Sequence, residues 1–426
     1  MNILVLGGGG REHAMAWKAA QSPLAETIYC APGNPGMAQL DKAECVAVDA
    51  EDFAAVRQLV QDKNVAMVLV GPEAPLAAGI VDALADTGAM VFGPCKAAAR
   101  LEASKAFAKE FMARHNIPTA PYAAFTDATA AKAYVERVGA PLVVKADGLA
   151  AGKGVTVAMD NETALQAIDD AMVTGVFGDA GSQIIIEGYL DGEEASILAF
   201  SDGKTVVPMA SSQDHKAALD GDKGPNTGGM GAYSPAPVVT DALMARIQKE
   251  VLDPCVAGMA ADGSPYVGVL YAGLMITKKG PEVVEFNCRF GDPETQVVLP
   301  RLTSDLVEIV RACCTGTLDA IALDYTSDAC ATIVMASEGY PASYPKGRAI
   351  TGIEAAEADE STQVFHAGTG LKDGALVTTG GRVLAVTAQA ATLEETLKKA
   401  YAGVDKIHFD GAQFRTDIGQ KAFRHG

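Results

Sequence analysis

The first hundred residues alternate short apolar, β-prone runs with helix-length stretches, and that alternation constrains the fold more than any other feature of the chain. Residues 2–6 are apolar and lead into four glycines, Gly7–Gly10, followed by a helical stretch around His13–Ala20. Val65–Val70 is a second apolar strand, ending at Gly71-Pro72, and Ala89–Phe92 is a third, ending at Gly93-Pro94. Helix-like segments near Phe53–Gln61 and Gly79–Thr87 separate the later strands. Strand–helix alternation of this length predicts a doubly wound parallel α/β domain over residues 1–101.

The remainder reads differently. Ser104–His115 is an amphipathic helix stopped by Asn116-Ile117-Pro118. Residues 121–190 alternate strands at Leu142–Lys145, Val155–Met159 and Gln183–Glu187 with a helix at Glu162–Met172. From Ala195 to Asn287 the pattern is mainly strands, interrupted by the Gly-rich stretch Gly221–Gly231 and a helix near Asp241–Gly258. We place a second domain at 102–326 and a smaller β-rich domain at 327–426, whose late helix is Leu393–Ala402. The whole is an α/β and α+β multidomain chain, and 426 residues suit about two to four domains.

Composition excludes several classes of function. The formal charge is −19, with 34 basic against 53 acidic residues, so no long basic footprint for nucleic acid is expected. A few lysines and backbone N–H groups still suffice for one phosphate. The eight cysteines form no C-x-x-C pair and read as reduced packing residues. No basic, apolar leader opens the chain and no run of about 18 apolar residues exists. The expectation is a cytoplasmic protein with no membrane partner.

Six stretches carry chemistry. The loop Gly7–Gly10 sits where a dinucleotide fingerprint would, but the third position is Glu12 or His13 depending on the frame, and neither packs as Gly or Ala does. Two readings remain: N–H groups offered to a phosphate, or a tight turn. Asp147–Gly154 resembles a P-loop, yet Asp147 stands at the first Gly position and Gly154 replaces the Ser/Thr that would touch magnesium. What is left is a glycine flap carrying Lys153 after a strand ending in Lys145, which suits a polyphosphate under a lid, or a plain surface hairpin. Glu285, Asn287 and Arg289 are spaced by two, so on an extended strand they share a face. A carboxylate and an amide oxygen are hard ligands for magnesium, and an Arg beyond them can brace phosphoryl charge; a solvated strand face is the plainer alternative. Glu187 and Gly188-Tyr189-Leu190 mark a strand exit where adenine can pair with backbone, with Glu194 placed for a ribose. Asp214-His215-Lys216 and Asn226–Gly231 are polar, Gly-rich loops of a functional kind. His13 and His215 read as structural rather than as general bases.

Taken in order, these strings resemble the phosphoribosylamine–glycine ligase (glycinamide ribonucleotide synthetase) family of the ATP-grasp superfamily. The matching strings are GGGGREHA at 7–14, APGNPG at 31–36, GPEAPL at 71–76, SKAFAKEF at 104–111, VVKADGLAAGKGV at 143–155, QDHK at 213–216, GPNTGGMGAYSP at 224–235 and EFNCRFGDPETQ at 285–296, with HAGT at 366–369. The resemblance implies an N-terminal substrate-binding domain, an ATP-grasp domain whose flap subdomain is about 121–190, and a β-rich C-terminal domain. It implies that glycine is joined to 5-phosphoribosylamine with ATP and Mg2+, Mn2+ being an alternative, through a glycyl phosphate, in purine biosynthesis. Lys105, Lys145, Gly152, Lys153 and Gly154 would then hold the nucleotide phosphates. Glu187, Tyr189 and Leu190 would frame adenine, and Glu194 would take the ribose. Glu285 and Asn287 would bind metal, and Arg289 and Lys145 would serve the chemistry. The substrates would meet Gly8, Gly9, Gly10, Asn34, Gly71, Pro72, Glu73, Asp214, Lys216, Asn226, Thr227, Gly228, Gly229, Arg289 and Asp292. A monomer is expected. The chain departs from the family at Ala217, where Arg is usual, and Val267–Ile276 lacks the acid that many ATP-grasp enzymes carry there. Competing readings are another ATP-grasp ligase of purine precursors, a non-catalytic nucleotide sensor, and a nicotinamide-dependent oxidoreductase, the last disfavoured by the failed fingerprint.

Overall fold

The computed structural model describes residues 1–148 and 154–425. Strands β1 (Asn2–Gly7), β2 (Thr27–Pro32), β3 (Ala43–Cys45), β4 (Val65–Val70) and β5 (Met90–Phe92) form one sheet in the order β3-β2-β1-β4-β5. Every neighbouring pair in it is parallel. Ile3 and Val5 enter one core while Leu4 and Leu6 enter another, so β1 is buried on both faces. That is why it reads as an unbroken apolar run. The chain leaves β1 to build one side of the sheet and returns to build the other, which creates a switch point beyond the ends of β1 and β4. Gly7–Gly10 and Gly71–Glu73 lie there.

A separate antiparallel sheet follows, made of β6 (Tyr122–Phe125), β7 (Leu142–Ala146), β8 (Val155–Ala158) and β9 (Ile184–Gly188) in the order β6-β9-β7-β8. Its buried core is drawn from positions 131 to 186 alone. Helix Asn161–Ile168 is shorter than the sequence suggests, because residues Asp169–Val173 widen into a looser turn closed by Thr174 N–H on Asp169 O, 2.9 Å.

The next strands are β10 (Gly192–Asp202), β11 (Val206–Pro208), β12 (Gln213–Asp214), β13 (Ala217–Leu219), β14 (Lys223–Asn226), β15 (Gly231–Ser234), β16 (Val267–Thr277) and β17 (Gly280–Asn287). Four of them make the sheet β11-β10-β16-β17. Ile197, Leu270, Ala272, Val283 and Phe286 turn one face of that sheet to the core shared with the N-terminal strands. A register shift on β17 takes the pairing from Leu274↔Val283 to Gly273↔Glu285, leaving Val284 bulged. The bulge resets the alternation, so Glu285 and Asn287 fall opposite Phe286, on the face that also carries Ser196 and Tyr271.

The last strands are β18 (Ala329–Ser337), β19 (Thr362–His366), β20 (Thr369–Lys372), β21 (Ala375–Thr378), β22 (Arg382–Ala390) and β23 (Ala412–Gln413). They give a sheet ordered β12-β15-β18-β22-β19, with β23 on β18, and helix Leu393–Val404 packs on it over its own core. Because β12 and β15 join this sheet, the segment between them is held between the middle and the last parts of the chain. Among the described residues no helix is long and apolar enough to cross a membrane.

Candidate active site

The helix Lys105–Arg114 starts with Ser104 as its cap, whose hydroxyl accepts from Phe107 N–H. Asp147, just past β7, accepts from Ala106 N–H (2.7 Å) and from the Ser104 hydroxyl (3.2 Å), so a carboxylate sits at the positive end of the helix. Lys105 Nζ donates to Gly148 O (3.0 Å). One turn on, Lys109 reaches Glu187 Oε2 (3.0 Å) and the Thr119 hydroxyl (2.7 Å). Lys145 on β7 reaches the other carboxylate oxygen, Oε1, at 2.9 Å and the bulged Val284 carbonyl at 3.0 Å. Glu187, Lys109 and Lys145 are all buried. Burial pushes Lys109 down to about 8, even though Glu187 opposes the shift. The Glu187 side chain is therefore engaged by two lysines. Tyr189 beyond it is exposed and Leu190 half-buried. Gly152 and Lys153 lie outside the described residues, whereas the Gly154 carbonyl accepts from Ala146 N–H at 2.8 Å.

Glu285 and Asn287 project from one face of β17, in register with Gly273 and Tyr271. Among the described residues, neither side chain has a hydrogen-bond or ion-pair partner. Burial pushes the Glu285 carboxyl up, but Lys216, Lys145, Lys105 and Arg289 outweigh it and hold the group below its usual range. An unpartnered carboxylate beside an unpartnered amide fits a hard divalent cation with phosphate oxygens around it. Arg289 follows the end of β17, where Nε meets Glu73 Oε2 and Nη2 meets Glu102 Oε1, each at 3.2 Å.

At the switch point, Glu12 accounts for the glycines. Its carboxylate accepts from Gly9 N–H (2.6 Å) and from Arg11 Nε (2.6 Å). A Cβ on Gly7 would stand 2.6 Å from Glu12 Cγ, and one on Gly71 would overlap the carboxylate. The failed fingerprint position thus has a use, since the loop wraps the chain's own acid. Arg11 Nη2 also reaches Glu73 Oε2 (3.1 Å), the oxygen that receives Arg289, so one carboxylate oxygen joins the glycine loop to the β17 exit. Pro72 precedes Glu73 as the cap of a short helix. The Asn34 amide donates to Gly8 O and His366 O (both 2.9 Å), pinning the loop to the last sheet. Gly10 faces Gln296 and Asp292, and Gln296 donates to Asp292 Oδ1 at 2.8 Å.

The polar loops close over this junction. Lys216 contacts Asp214 Oδ2 (3.1 Å) and Glu194 Oε2 (3.5 Å). The Thr227 hydroxyl donates to Lys216 O (2.8 Å) and accepts from Gly229 N–H (2.9 Å). Arg382 clamps Gly228 O and Asp292 O, both at 2.7 Å, and Tyr340 accepts from Gly228 N–H at 3.1 Å. Asn226 is exposed at the end of β14. Ala217 is buried, and its carbonyl accepts from Arg415 (3.2 Å).

Reasoning from sequence missed Arg11, Glu12, Glu102, Lys109, Glu294 and Arg382. Arg11, Glu12 and Glu294 stand inside the strings GGGGREHA and EFNCRFGDPETQ with no role read for them, and Lys109 lies four residues after Lys105 on one helix face. His13 and His215 are buried, with burial pushing them down to about 3 and about 4, so both are neutral at pH 7. His13 accepts from His366 N–H, and His215 accepts from Gly419 N–H.

Lys105, Lys145, Lys216 and Arg289 thus act together on Glu285, and comparisons with known proteins show the family to which such a chain belongs. The family model described as phosphoribosylglycinamide synthetase, N domain, matches residues 1–102. The ATP-grasp (A) domain model of the same synthetase matches 103–295, and its C domain model matches 330–421. A phosphoribosylamine–glycine ligase of Agrobacterium fabrum is 55% identical over 422 residues, 99% of each chain. One from Vibrio vulnificus is 54% identical over 99% of this chain and 98% of its own. The crystal structure of phosphoribosylamine–glycine ligase from Thermotoga maritima superposes with a TM-score of 0.85 at 31% identity, covering 98% of this chain and all of that one. A Campylobacter jejuni biotin carboxylase, solved as a complex with β-γ-ATP, shares only the fold, with a TM-score of 0.71 at 14% identity, covering 97% of this chain and 92% of that one. On the domain matches and the full-length identity together, this chain belongs to the phosphoribosylamine–glycine ligase family, with its ATP-grasp domain.

Proposed function

We propose that this chain ligates glycine to 5-phosphoribosylamine with ATP, giving glycinamide ribonucleotide, ADP and phosphate in purine biosynthesis. The observation that carries the reading is the pair Glu285 and Asn287, free of protein partners in the described structure and set among Lys105, Lys145, Lys216 and Arg289. Glycine is a poor acceptor for an amine, because its carboxylate is negatively charged and lacks a leaving group. Attack of one carboxylate oxygen on the γ-phosphorus of ATP releases ADP and forms glycyl phosphate. The amine then attacks the acyl carbon and phosphate departs. Lys105 and Lys145 neutralise the transferring oxygens from fixed positions, and Arg289 braces the phosphoryl group and then the acyl phosphate. Glu285 and Asn287 would hold magnesium, or manganese, which when bound supplies further charge neutralisation. Adenine sits at the Glu187–Leu190 exit and the ribose at Glu194, and Gly152, Lys153 and Gly154 serve the nucleotide phosphates.

Phosphoribosylamine docks against Gly8–Gly10, Asn34 and Gly71–Glu73, and the Asn34 amide also donates to Gly8 O and His366 O. Asp292 and the loop Asn226–Gly229 close the site, with Asp214 and Lys216 lining it. We take the domains as 1–101, 102–326 and 327–426, and the protein as a cytoplasmic monomer without nucleic-acid or membrane partners. No side-chain nucleophile is needed; positioning and exclusion of water carry the rate. The test is phosphate release from ATP and magnesium, with glycine and freshly made phosphoribosylamine supplied singly and together. Release only with both is expected. Release dependent on a different carboxylate or amine would move the substrate assignment, and ATP binding without any release would overturn the enzyme reading.

A further inference from the structure

Two cysteines separated in sequence meet in the first sheet. Cys30 on β2 and Cys45 at the end of β3 are Cα partners across a parallel pair, so both side chains leave the same face. Adjacent strands stand about 4.8 Å apart, inside the range of about 4.4–6.8 Å that a disulfide needs between its Cα atoms. Cys30 is 0% exposed, whereas Cys45 is open to solvent. Both thiols are free and each acts on the other. A hydrogen bond from Cys30 lowers the Cys45 thiol to about 7, and the same contact, with burial, pushes Cys30 up. At neutral pH Cys45 is therefore substantially thiolate, the form that attacks electrophiles, while its neighbour keeps its proton.

The pair lies against the backbone that shapes the glycine loop. Cys45 Sγ donates to Asn34 O at 3.6 Å. Gly33, at φ +71°, crosses both cysteines: a Cβ there would stand 2.5 Å from Cys45 Sγ and 2.9 Å from Cys30 Cβ. Gly33 N–H donates to Gly7 O (3.2 Å), and a Cβ on Gly8 would stand 2.5 Å from Gly33 O. The Asn34 amide carries the contact on to Gly8 O and His366 O. One residue therefore separates the Cys45 sulfur from both the glycine loop and the last sheet.

We propose that Cys45 and Cys30 form an oxidisable dithiol, a modification site for peroxides, whose closure to a disulfide loosens the Gly33–Asn34 turn and weakens docking of phosphoribosylamine. The Cys45 thiolate attacks one oxygen of hydrogen peroxide. The O–O bond breaks, leaving a sulfenic acid on Cys45 and a hydroxide that recovers the proton Cys45 had shed. The Cys30 sulfur then attacks the sulfenic sulfur, the S–O bond breaks, and the departing hydroxide leaves as water with the Cys30 proton. Two thiols and one peroxide thus become one disulfide and two waters. A dithiol reductant returns the two electrons, and the exposed Cys45 sulfur gives it access. The new bond draws Cys45 Sγ toward Cys30 and removes the donor from Asn34 O. Reversible disulfides of this kind suit a reducing compartment, where structural ones are rare. The site stands apart from the ligase reading; only its kinetic consequence rests on that reading.

The test treats the whole protein with hydrogen peroxide, then alkylates and cleaves it without reduction for mass analysis. The Cys30 and Cys45 peptides are expected to appear joined, with two of the eight thiols lost and both restored by dithiothreitol. Cys45→Ser should form no joined peptide, and Cys30→Ala should stop at a sulfenic acid on Cys45 that dimedone traps. In the oxidised wild type, KM for phosphoribosylamine is expected to rise about two- to tenfold, as for loss of one hydrogen bond, while KM for ATP stays within about twofold. Cys45→Ser should match the reduced wild type and show no response to peroxide. Three results would overturn the proposal: Cys45 joined to a different cysteine, Cys45 oxidised to a sulfonic acid with Cys30 still free, or a Cys30–Cys45 disulfide that leaves KM for phosphoribosylamine unchanged. If the reduced wild type releases no phosphate with both substrates, the ligase reading fails, and the joined peptide and thiol count still decide the site.

Discussion

Removing the Glu187 carboxylate probes the buried framework beneath the nucleotide face. Glu187 on β9 pairs with Lys145 on β7 (2.9 Å) and with Lys109 (3.0 Å) from the helix outside that sheet. All three side chains are at most 5% exposed, so solvent cannot replace the lost partner. Glu187→Ala leaves two buried ammonium groups facing each other, and breaking a buried pair from one side costs about 3–5 kcal/mol. Removing Lys109 in the same chain deletes one orphaned charge. The double variant Glu187→Ala, Lys109→Met is therefore expected to recover a substantial part of that loss, a coupling readable in a double-mutant cycle. ATP should stabilise Glu187→Ala more than it stabilises wild type, because the triphosphate offers Lys145 a new anion. Urea denaturation followed by circular dichroism, with and without ATP, measures all three effects. A loss below about 1 kcal/mol for Glu187→Ala, or further destabilisation on adding Lys109→Met, would refute the account, since a solvated ion pair behaves in that way.

Three other outcomes follow from the same geometry. Burial raises the Glu294 carboxyl from 4.5 to about 6, with Asp214 adding to the rise, so between those pH values the folded chain binds more protons than the unfolded one. The stabilisation is full below pH 4.5 and lost as pH rises through about 6; Glu294→Gln lacks it, and should gain up to about 2 kcal/mol on wild type across that window in denaturation at stepped pH. No change in the difference across the window, or a change of opposite sign, would contradict this. Gly71→Ala drives a methyl into the Glu12 carboxylate, which should destabilise by about 1–3 kcal/mol and raise KM for phosphoribosylamine more than KM for ATP; steady-state kinetics showing the reverse ranking would be decisive against it. Glu285→Ala should abolish most magnesium-dependent turnover while the melting temperature moves little, and wild-type kinetics in that variant would remove the metal assignment.

How much of this was legible depended on how local each cause is. The strands β1 and β4 showed in the sequence because burial on both faces makes them continuous apolar runs. The edge strand β3, three partly exposed residues, has no pattern to read. The pairing of Glu285 with Asn287 on one face followed from strand periodicity, but the bulge that aims Val284 O at Lys145 did not. The clustering of Lys145 before the glycine flap was visible; its partner Lys109 became meaningful only once β9 brought Glu187 to it. Glu12 looked like an obstacle to a glycine loop because the test assumed a helix packed tightly on its strand. The structure folds that side chain back across Gly7 and Gly71, a contact set by the sheet order. Likewise β15 joins the last sheet by pairing with β18, and β12 by pairing with β15, and no local pattern announces either.

The central claim is that ATP activates the carboxylate of glycine. The most direct measurement uses glycine labelled with heavy oxygen in its carboxylate, turned over with ATP, magnesium and phosphoribosylamine, followed by mass analysis of the phosphate. The account predicts one labelled oxygen in each phosphate released, carried from the carboxylate through the acyl phosphate. Unlabelled phosphate, with both labels retained by the carboxyl carbon or exchanged only with water, would contradict it.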